Sequence, residues 1–181
     1  MLLKAEVNQR LLLFIYIFKE DKHMSERKFI PVLKIENAEL LGGSFKNFKG
    51  EERKFNDAGK RNFCVVIPED MVDQLRDDGW NIKELEPREE GDPVKYYTQV
   101  MINYRSSRPP MVILHTNGGG AVPLDEDTIG ELDDAYIVHC DVAINPHAWD
   151  TSTGSGIKGY LKSMHVTIED MDDFADKYRE E

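Results

Sequence analysis

Apolar and polar positions alternate along most of this chain, and the alternation predicts strands far more often than helices. FIPVLKIENAELL (residues 29–41) alternates or nearly alternates and stops at Gly42-Gly43, which reads as a strand closed by a turn. RNFCVVIP (61–68) is a short β-branched run ended by Pro68. EDMVDQLRDDGW (69–80) breaks the pattern. It has acids at its start, Met71, Val72 and Leu75 on one side, and Gly79 as a stop, which predicts a helix. WNIKELEP (80–87) is a short strand followed by the charged loop REEGDP. VKYYTQVMINY (94–104) is a long β-rich segment broken by SSRPP, and MVILHT (111–116) is a strand ending in Gly118-Gly119-Gly120. LDEDTIGELDDA (124–135) carries only a weak helical signal. YIVHCDVAINPHAW (136–149) and GIKGYLKSMHVTIE (156–169) are two further strands joined by the loop DTSTGSG.

Many short strands, one inserted helix and no βαβ alternation favour a small barrel or sandwich over a doubly wound sheet. The fold class expected is mainly β with one or two short helices, an OB-fold-like five-stranded barrel with an acidic C-terminal tail. Residues 24–165 would form the barrel domain and residues 166–181 the tail. Residues 1–23 read as a peripheral extension. Their apolar run LLLFIYIF (11–18) has eight residues against the ~20 of a membrane span, and MSERKFIPVLKI from Met24 reads as a natural start. An extra strand or helix covering the domain is the competing reading of that extension.

Composition changes the picture chiefly through charge. The net charge of -11 would by itself predict repulsion from nucleic acid. The charges are segregated, however. Residues 44–63 hold six cations against three anions, and residues 94–123 hold Lys95, Arg105 and Arg108 with no acid. Residues 69–92 carry ten anions against three cations, and residues 124–141 have seven acids and no Lys or Arg. Screening over about 8–10 Å makes local patches matter more than the total. Cys64 and Cys140 lie inside apolar runs and read as buried, reduced thiols of a cytoplasmic protein, with one internal disulfide as the alternative.

Specific chemical motifs are scarce. Gly154-x-Gly156-x-x-Gly159 matches a dinucleotide fingerprint in form, but YLKSMHVTI after it has the period of a strand, so a strand-connecting loop is expected instead. The histidines (His23, His115, His139, His147 and His165) show no metal-ligand spacing, and no Ser, His or Cys stands in a nucleophile motif. No enzyme activity, cofactor or metal is expected.

Rings among cations are what remains. Single-stranded nucleic acid is held by bases stacked on aromatic side chains and by cations tracking the backbone. Three segments offer both: Phe45 to Arg61; Tyr96, Tyr97, Tyr104, Arg105 and Arg108; and Trp149 with Lys158, Tyr160 and Lys162. Tyr96 and Tyr104 share parity along their strand and Tyr97 opposes them, so only one set faces outward. Phe63 and Phe45 read as core. Phe48, Tyr104, Trp149 and Tyr160 are the stacking candidates. Lys46, Lys49, Arg53, Lys54, Lys60, Arg61, Arg105, Arg108, Lys158 and Lys162 are the phosphate contacts.

Two blocks also carry a resemblance. Phe45-Lys46-Asn47-Phe48-Lys49-Gly50 followed by Phe55-Asn56-x-x-Gly59-x-Arg61-Asn62-Phe63, and later Trp149 through Gly156-Ile157-Lys158-Gly159-Tyr160-Leu161, resemble signatures of single-stranded DNA-binding proteins of tailed bacteriophages. The resemblance implies an OB-fold that coats single strands during phage replication and recombination in the host cytoplasm. It also implies that the acidic tail, with Asp170, Asp172, Asp173, Phe174, Asp176 and Tyr178, contacts replication or recombination proteins. The tail closes with Arg-Glu-Glu where the family pattern has a terminal aromatic. A homodimer is left open and no membrane contact is expected. The alternative is an acidic interaction protein, a DNA mimic acting on a host DNA-binding protein, which would need a continuous acidic stripe.

Overall fold

The computed structural model describes residues 29–169 apart from 55, 88, 90, 117 and 118. The expected extension over residues 1–23 and the tail positions Asp170, Asp172, Asp173, Phe174, Asp176 and Tyr178 lie outside the described residues. The chain divides into two units after residue 30, and every element named below belongs to the second.

The seven expected strands form, and two short ones that the alternation does not predict join them. In chain order they are β1 (Leu33–Ile35), β2 (Lys46–Asn47), β3 (Arg61–Ile67), β4 (Lys83–Leu85), β5 (Lys95–Ile102), β6 (Met111–His115), β7 (Ala121–Leu124), β8 (Ile137–Thr151) and β9 (Gly154–Ile168). The helix α1 (Glu69–Asp78) follows β3 and stops where Gly79 takes φ +100°, a left-handed cap that a side chain would disfavour. The weak helical signal after β7 becomes a 3-10 helix over Ile129–Asp133.

Five strands in the order β1-β8-β9-β5-β3 make the barrel wall, with β2 added beyond β3. The ladders do not close it into a ring. Between β3 and the chain after β1 stand the Leu40–Val65 bridge and two backbone hydrogen bonds, Leu41 N–H to Cys64 O at 3.0 Å and Val66 N–H to Glu39 O at 2.9 Å. The hairpin β8–β9 is the spine. β9 first runs parallel to β5 at Val100–Gly159, then parallel to β6 from Met111–Ser163 onward.

Alternation assigns the faces. Phe63, Val65 and Ile67 of β3, Val100 and Ile102 of β5, and Ile157, Leu161, Met164 and Val166 of β9 point into the core with Ile144 of β8. Ile129 and Leu132 of the 3-10 helix are fully buried and plug one side. β9 carries a bulge. Leu161 pairs with Ile144 and Ser163 with Ala143, so Lys162 is the unpaired extra residue between them.

The core corrects one expectation outright. Phe48 is a stacking candidate from sequence, yet it is fully buried and lies parallel to Phe63 at 5.3 Å between centroids. Burying a phenyl ring is worth about 1.5–3 kcal/mol, which a ring among lysines gains as readily as any other when its backbone turns inward. Asp133 enforces that turn, because its carboxylate accepts the N–H groups of Phe48 and Lys49, both at 2.8 Å.

Candidate nucleic-acid interface

The outward residues of β3, β5, β9 and β8 share one face. On β5 these are Tyr97, Gln99 and Met101; on β9, Lys158 and Tyr160; on β8, Asn145, His147 and Trp149. Registers place them side by side: Asn62 opposite Met101, Met101 beside Tyr160, Tyr160 opposite Asn145, and Lys158 opposite His147. β4 borders the same face, with Lys83 opposite Tyr97. Ring contacts run along it. Phe45 meets Tyr97 edge-on at 5.4 Å, His147 meets Tyr160 edge-on at 5.8 Å, and the Lys158 ammonium stands 5.9 Å over the Tyr160 ring.

Glycines explain how Trp149 joins this face. Trp149 pairs with Gly156, and a Cβ at Gly156 would lie 3.2 Å from Cζ2 and 3.3 Å from Cε2 and Nε1 of the indole. The indole therefore covers the glycine while 42% of the residue stays exposed. On the opposite side of β9, a Cβ at Gly159 would meet Trp80 and Ile144 at 3.1 and 3.0 Å, so that glycine makes room in the core. Gly154 opens the β8–β9 turn at φ +151°. The dinucleotide-like spacing thus encodes a turn and two tryptophan seats, with no helix N-terminus after it.

The cations divide into two groups. In the basic segment of residues 44–63, Lys46 donates to the carbonyls of Leu132 and Ala135 at 3.1 and 3.4 Å, and Lys49 pairs with Asp134 at 2.6 Å. The Lys49 contact raises the pKa of its ammonium and lowers that of Asp134 through their hydrogen bond and charge. Arg53 is 3.7 Å from Glu51 and donates to Lys46 O, and Lys60 pairs with Asp57. Arg61, with its side chain 15% exposed, pairs with Glu126 at 2.8 Å. Lys54 also has a partner.

Among the described residues, five cations on or beside the ring-bearing face make no ion pair: Lys83, Arg105, Arg108, Lys158 and Lys162. The loop carrying Arg105 and Arg108 leaves β5 after Ile102 and enters β6 at Met111. It therefore emerges where β9 changes partner, at the Lys162 bulge.

Several sequence expectations shift on this geometry. Trp149, Lys158 and Tyr160 come together on one face, with Lys162 one step beyond. Arg61 and Lys46 are turned into the protein and do not present their charge outward. Tyr104 is half-buried and its hydroxyl donates to Leu124 O at 3.2 Å, burial pushing that hydroxyl up to about 12. It acts as a strut between the ends of β5 and β7, which removes it from the open rings. Phe45, expected in the core, is half-buried at the rim of the face. Sequence reasoning missed Tyr97, His147 and Lys83. The parity of Tyr97 against the buried Val100 and Ile102 was the available signal for the first.

The motif Phe55-Asn56-x-x-Gly59-x-Arg61-Asn62-Phe63 also proves structural where it is described. The Asn56 amide donates to the carbonyls of Glu51, Asp57 and Lys60 and accepts from Asn62, and Gly59 sits at φ +79° with its N–H on Gly50 O. These contacts shape the loop between β2 and β3.

Both cysteines are free and buried, and burial raises Cys64 to about 11 and Cys140 to about 12. His115 and His165 share a 2.9 Å hydrogen bond, and His139 lies 3.2 Å from Asp141. Among the described residues no three His, Cys, Asp or Glu side chains converge as metal ligands, and no helix is long and apolar enough to cross a membrane. Within the acidic run, Glu126, Asp133 and Asp134 engage donors of the basic segment, while Asp125, Asp127 and Glu131 are exposed.

An OB-like wall that displays rings beside uncompensated cations is the architecture of an oligonucleotide-binding module. The chain belongs to the family described as "Putative phage ssDNA-binding domain", whose model matches residues 24–180. Among solved structures, it is similar to the single-stranded DNA-binding protein from bacteriophage Enc34 in complex with ssDNA. The two are 14% identical over 77% of this chain and 87% of that one, with a TM-score of 0.49. It is also similar to gp2.5, a single-stranded DNA-binding protein encoded by bacteriophage T7, at 13% identity, 83% and 97% coverage and a TM-score of 0.39. No curated protein matches it. Both structural likenesses are distant, and membership rests on the family match.

Proposed function

We propose that this protein coats single-stranded DNA without regard to sequence during phage DNA replication and recombination. Bases stack on Trp149, Tyr160 and Tyr97, and phosphates meet Lys83, Lys158, Lys162, Arg105 and Arg108. The supporting observation is that rings coincide on one outward face with cations that have no ion pair among the described residues, whereas Lys49, Arg53, Lys60 and Arg61 of the other basic segment stand beside the protein's own carboxylates. Stacking is tolerant of sequence because every base has a π-face. On the same reading the acidic residues beyond Glu169 contact replication or recombination proteins.

The test is titration of the full chain with oligonucleotides of about thirty bases at low salt. Single-stranded dT should quench tryptophan emission and shift in a gel, and duplex of the same length should bind far more weakly. Absence of binding to the single strand, or equal binding to the duplex, would overturn the proposal.

A further inference from the structure

Glycine inside a strand weakens it, since it adds backbone freedom and packs nothing, so an interior strand glycine calls for a reason in space. Gly156 takes no left-handed conformation, and alanine would be allowed there on backbone grounds. What a side chain would meet is specific. The three nearest atoms to a Cβ all belong to the Trp149 indole, at 3.2 and 3.3 Å. Gly154 approaches the neighbouring corner of the same ring, its Cβ position lying 3.9 Å from Cη2. The indole is thus laid over β9 by the missing side chains beneath it.

We infer that Gly156 is a positioning residue for DNA binding, a seat that holds the Trp149 indole flat as a one-sided stacking platform. This rests on the proposal that Trp149 stacks a base. The Nε1–Cε2–Cζ2 side of the ring rests against the glycine, so a base is taken on the solvent side of the indole. Holding the ring in place before DNA arrives also removes the rotamer loss that a free side chain would suffer on binding. Alanine must push the indole outward by a few tenths of an ångström. Valine, acceptable to a strand, removes the seat.

The experiment measures dT30 affinity of the full chain for five forms: wild type, Gly156→Ala, Gly156→Val, Trp149→Ala and the double variant Gly156→Val/Trp149→Ala. Stacking lost with Trp149→Ala should weaken binding about ten- to a hundredfold. Loss of the seat should weaken it about two- to tenfold, with alanine at the low end. In the Trp149→Ala background, Gly156→Val should change nothing, because there is no longer an indole to seat. Iodide quenching gives a second readout without DNA. Trp80 is buried, so accessible emission reports Trp149 and should rise when the seat is filled.

The outcomes separate. If Trp149→Ala binds as wild type, the stacking role of Trp149 fails. If Trp149→Ala is weak but both glycine variants bind as wild type, the seat fails while stacking stands. If Gly156→Val weakens binding equally in both backgrounds, the glycine acts through the strand and the inference is overturned. Should the valine variant not fold, the alanine variant and its quenching decide alone.

Discussion

The salt dependence of DNA binding separates the two groups of cations. A protein that neutralises Z phosphates of a single strand weakens with salt at a slope of about -0.7Z in log units. Five cations beside the rings have no ion pair among the described residues: Lys83, Arg105, Arg108, Lys158 and Lys162. If each meets one phosphate, the slope is about -3.5, and raising salt from about 50 to 200 mM costs roughly a hundredfold in affinity. Were Lys46, Lys49, Arg53, Lys54, Lys60 and Arg61 also to bind phosphate, the slope would be about -7.7 and the loss roughly 40,000-fold. Those cations are expected to stay silent for a physical reason. A lysine already paired with a carboxylate, as Lys49 is with Asp134, brings no net charge to the strand and leaves an anion beside it if it switches partner. Fluorescence titrations of dT30 at four or five salt concentrations give the slope directly. Lys158→Gln should make it shallower by about 0.7, and Lys60→Gln should leave it unchanged. A wild-type slope near -7, or an equal effect of the two substitutions, would refute the division.

Phe48→Ala should unfold the protein more readily without removing a DNA contact. The ring is fully buried against Phe63, so the expected loss is about 3–5 kcal/mol by denaturant titration. Where the variant remains folded, its DNA affinity should equal wild type. On the acid side, Asp125 has its pKa lowered chiefly by the Thr128 hydroxyl, then by the N–H groups of Thr128 and Asp127. A depressed carboxylate stabilises the fold above the ordinary aspartate value of about 3.9 and loses that contribution as pH falls through its lower folded value. The difference in melting temperature between wild type and Asp125→Ala should therefore be present at pH 7 and shrink below about pH 4.

The parts of the fold that were legible in the sequence are those in which one strand carries its own alternation. In β9, Ile157 and Leu161 are buried while Lys158 and Tyr160 point outward, and that parity is written in the five positions 157–161. β5 is similar, with Val100 and Ile102 inward. Two strands left no readable pattern. β2 has two residues. β7 contains Pro123, which marks a break in most strands but is tolerated here because β7 pairs with β6 alone. The direction of Phe48 was illegible for a different reason, since its backbone is fixed by Asp133, 85 residues away along the chain. Lys83 was hidden because it lies in a strongly acidic stretch, and only its register opposite Tyr97 brings it to the face.

Charge summed along the chain and charge seen by a ligand differ here because the fold pairs the segments with one another. The basic residues 46–61 and the acidic residues 126–134 each read as a surface patch of one sign. In space they meet: Arg61 with Glu126, Lys49 with Asp134, Lys46 with the carbonyls of Leu132 and Ala135, and Asp133 with the backbone of β2's continuation. The paired charges offset one another over distances well below the screening length, so the cations of the basic segment act on a ligand less than their number suggests. The cations of β4, β9 and the β5–β6 loop have no such counterpart among the described residues, and they lie beside the open rings. A protein of net charge -11 can therefore present a locally positive strand face. The acids that fold against the basic hairpin are part of what confines that positive charge to the face carrying Trp149 and Tyr160.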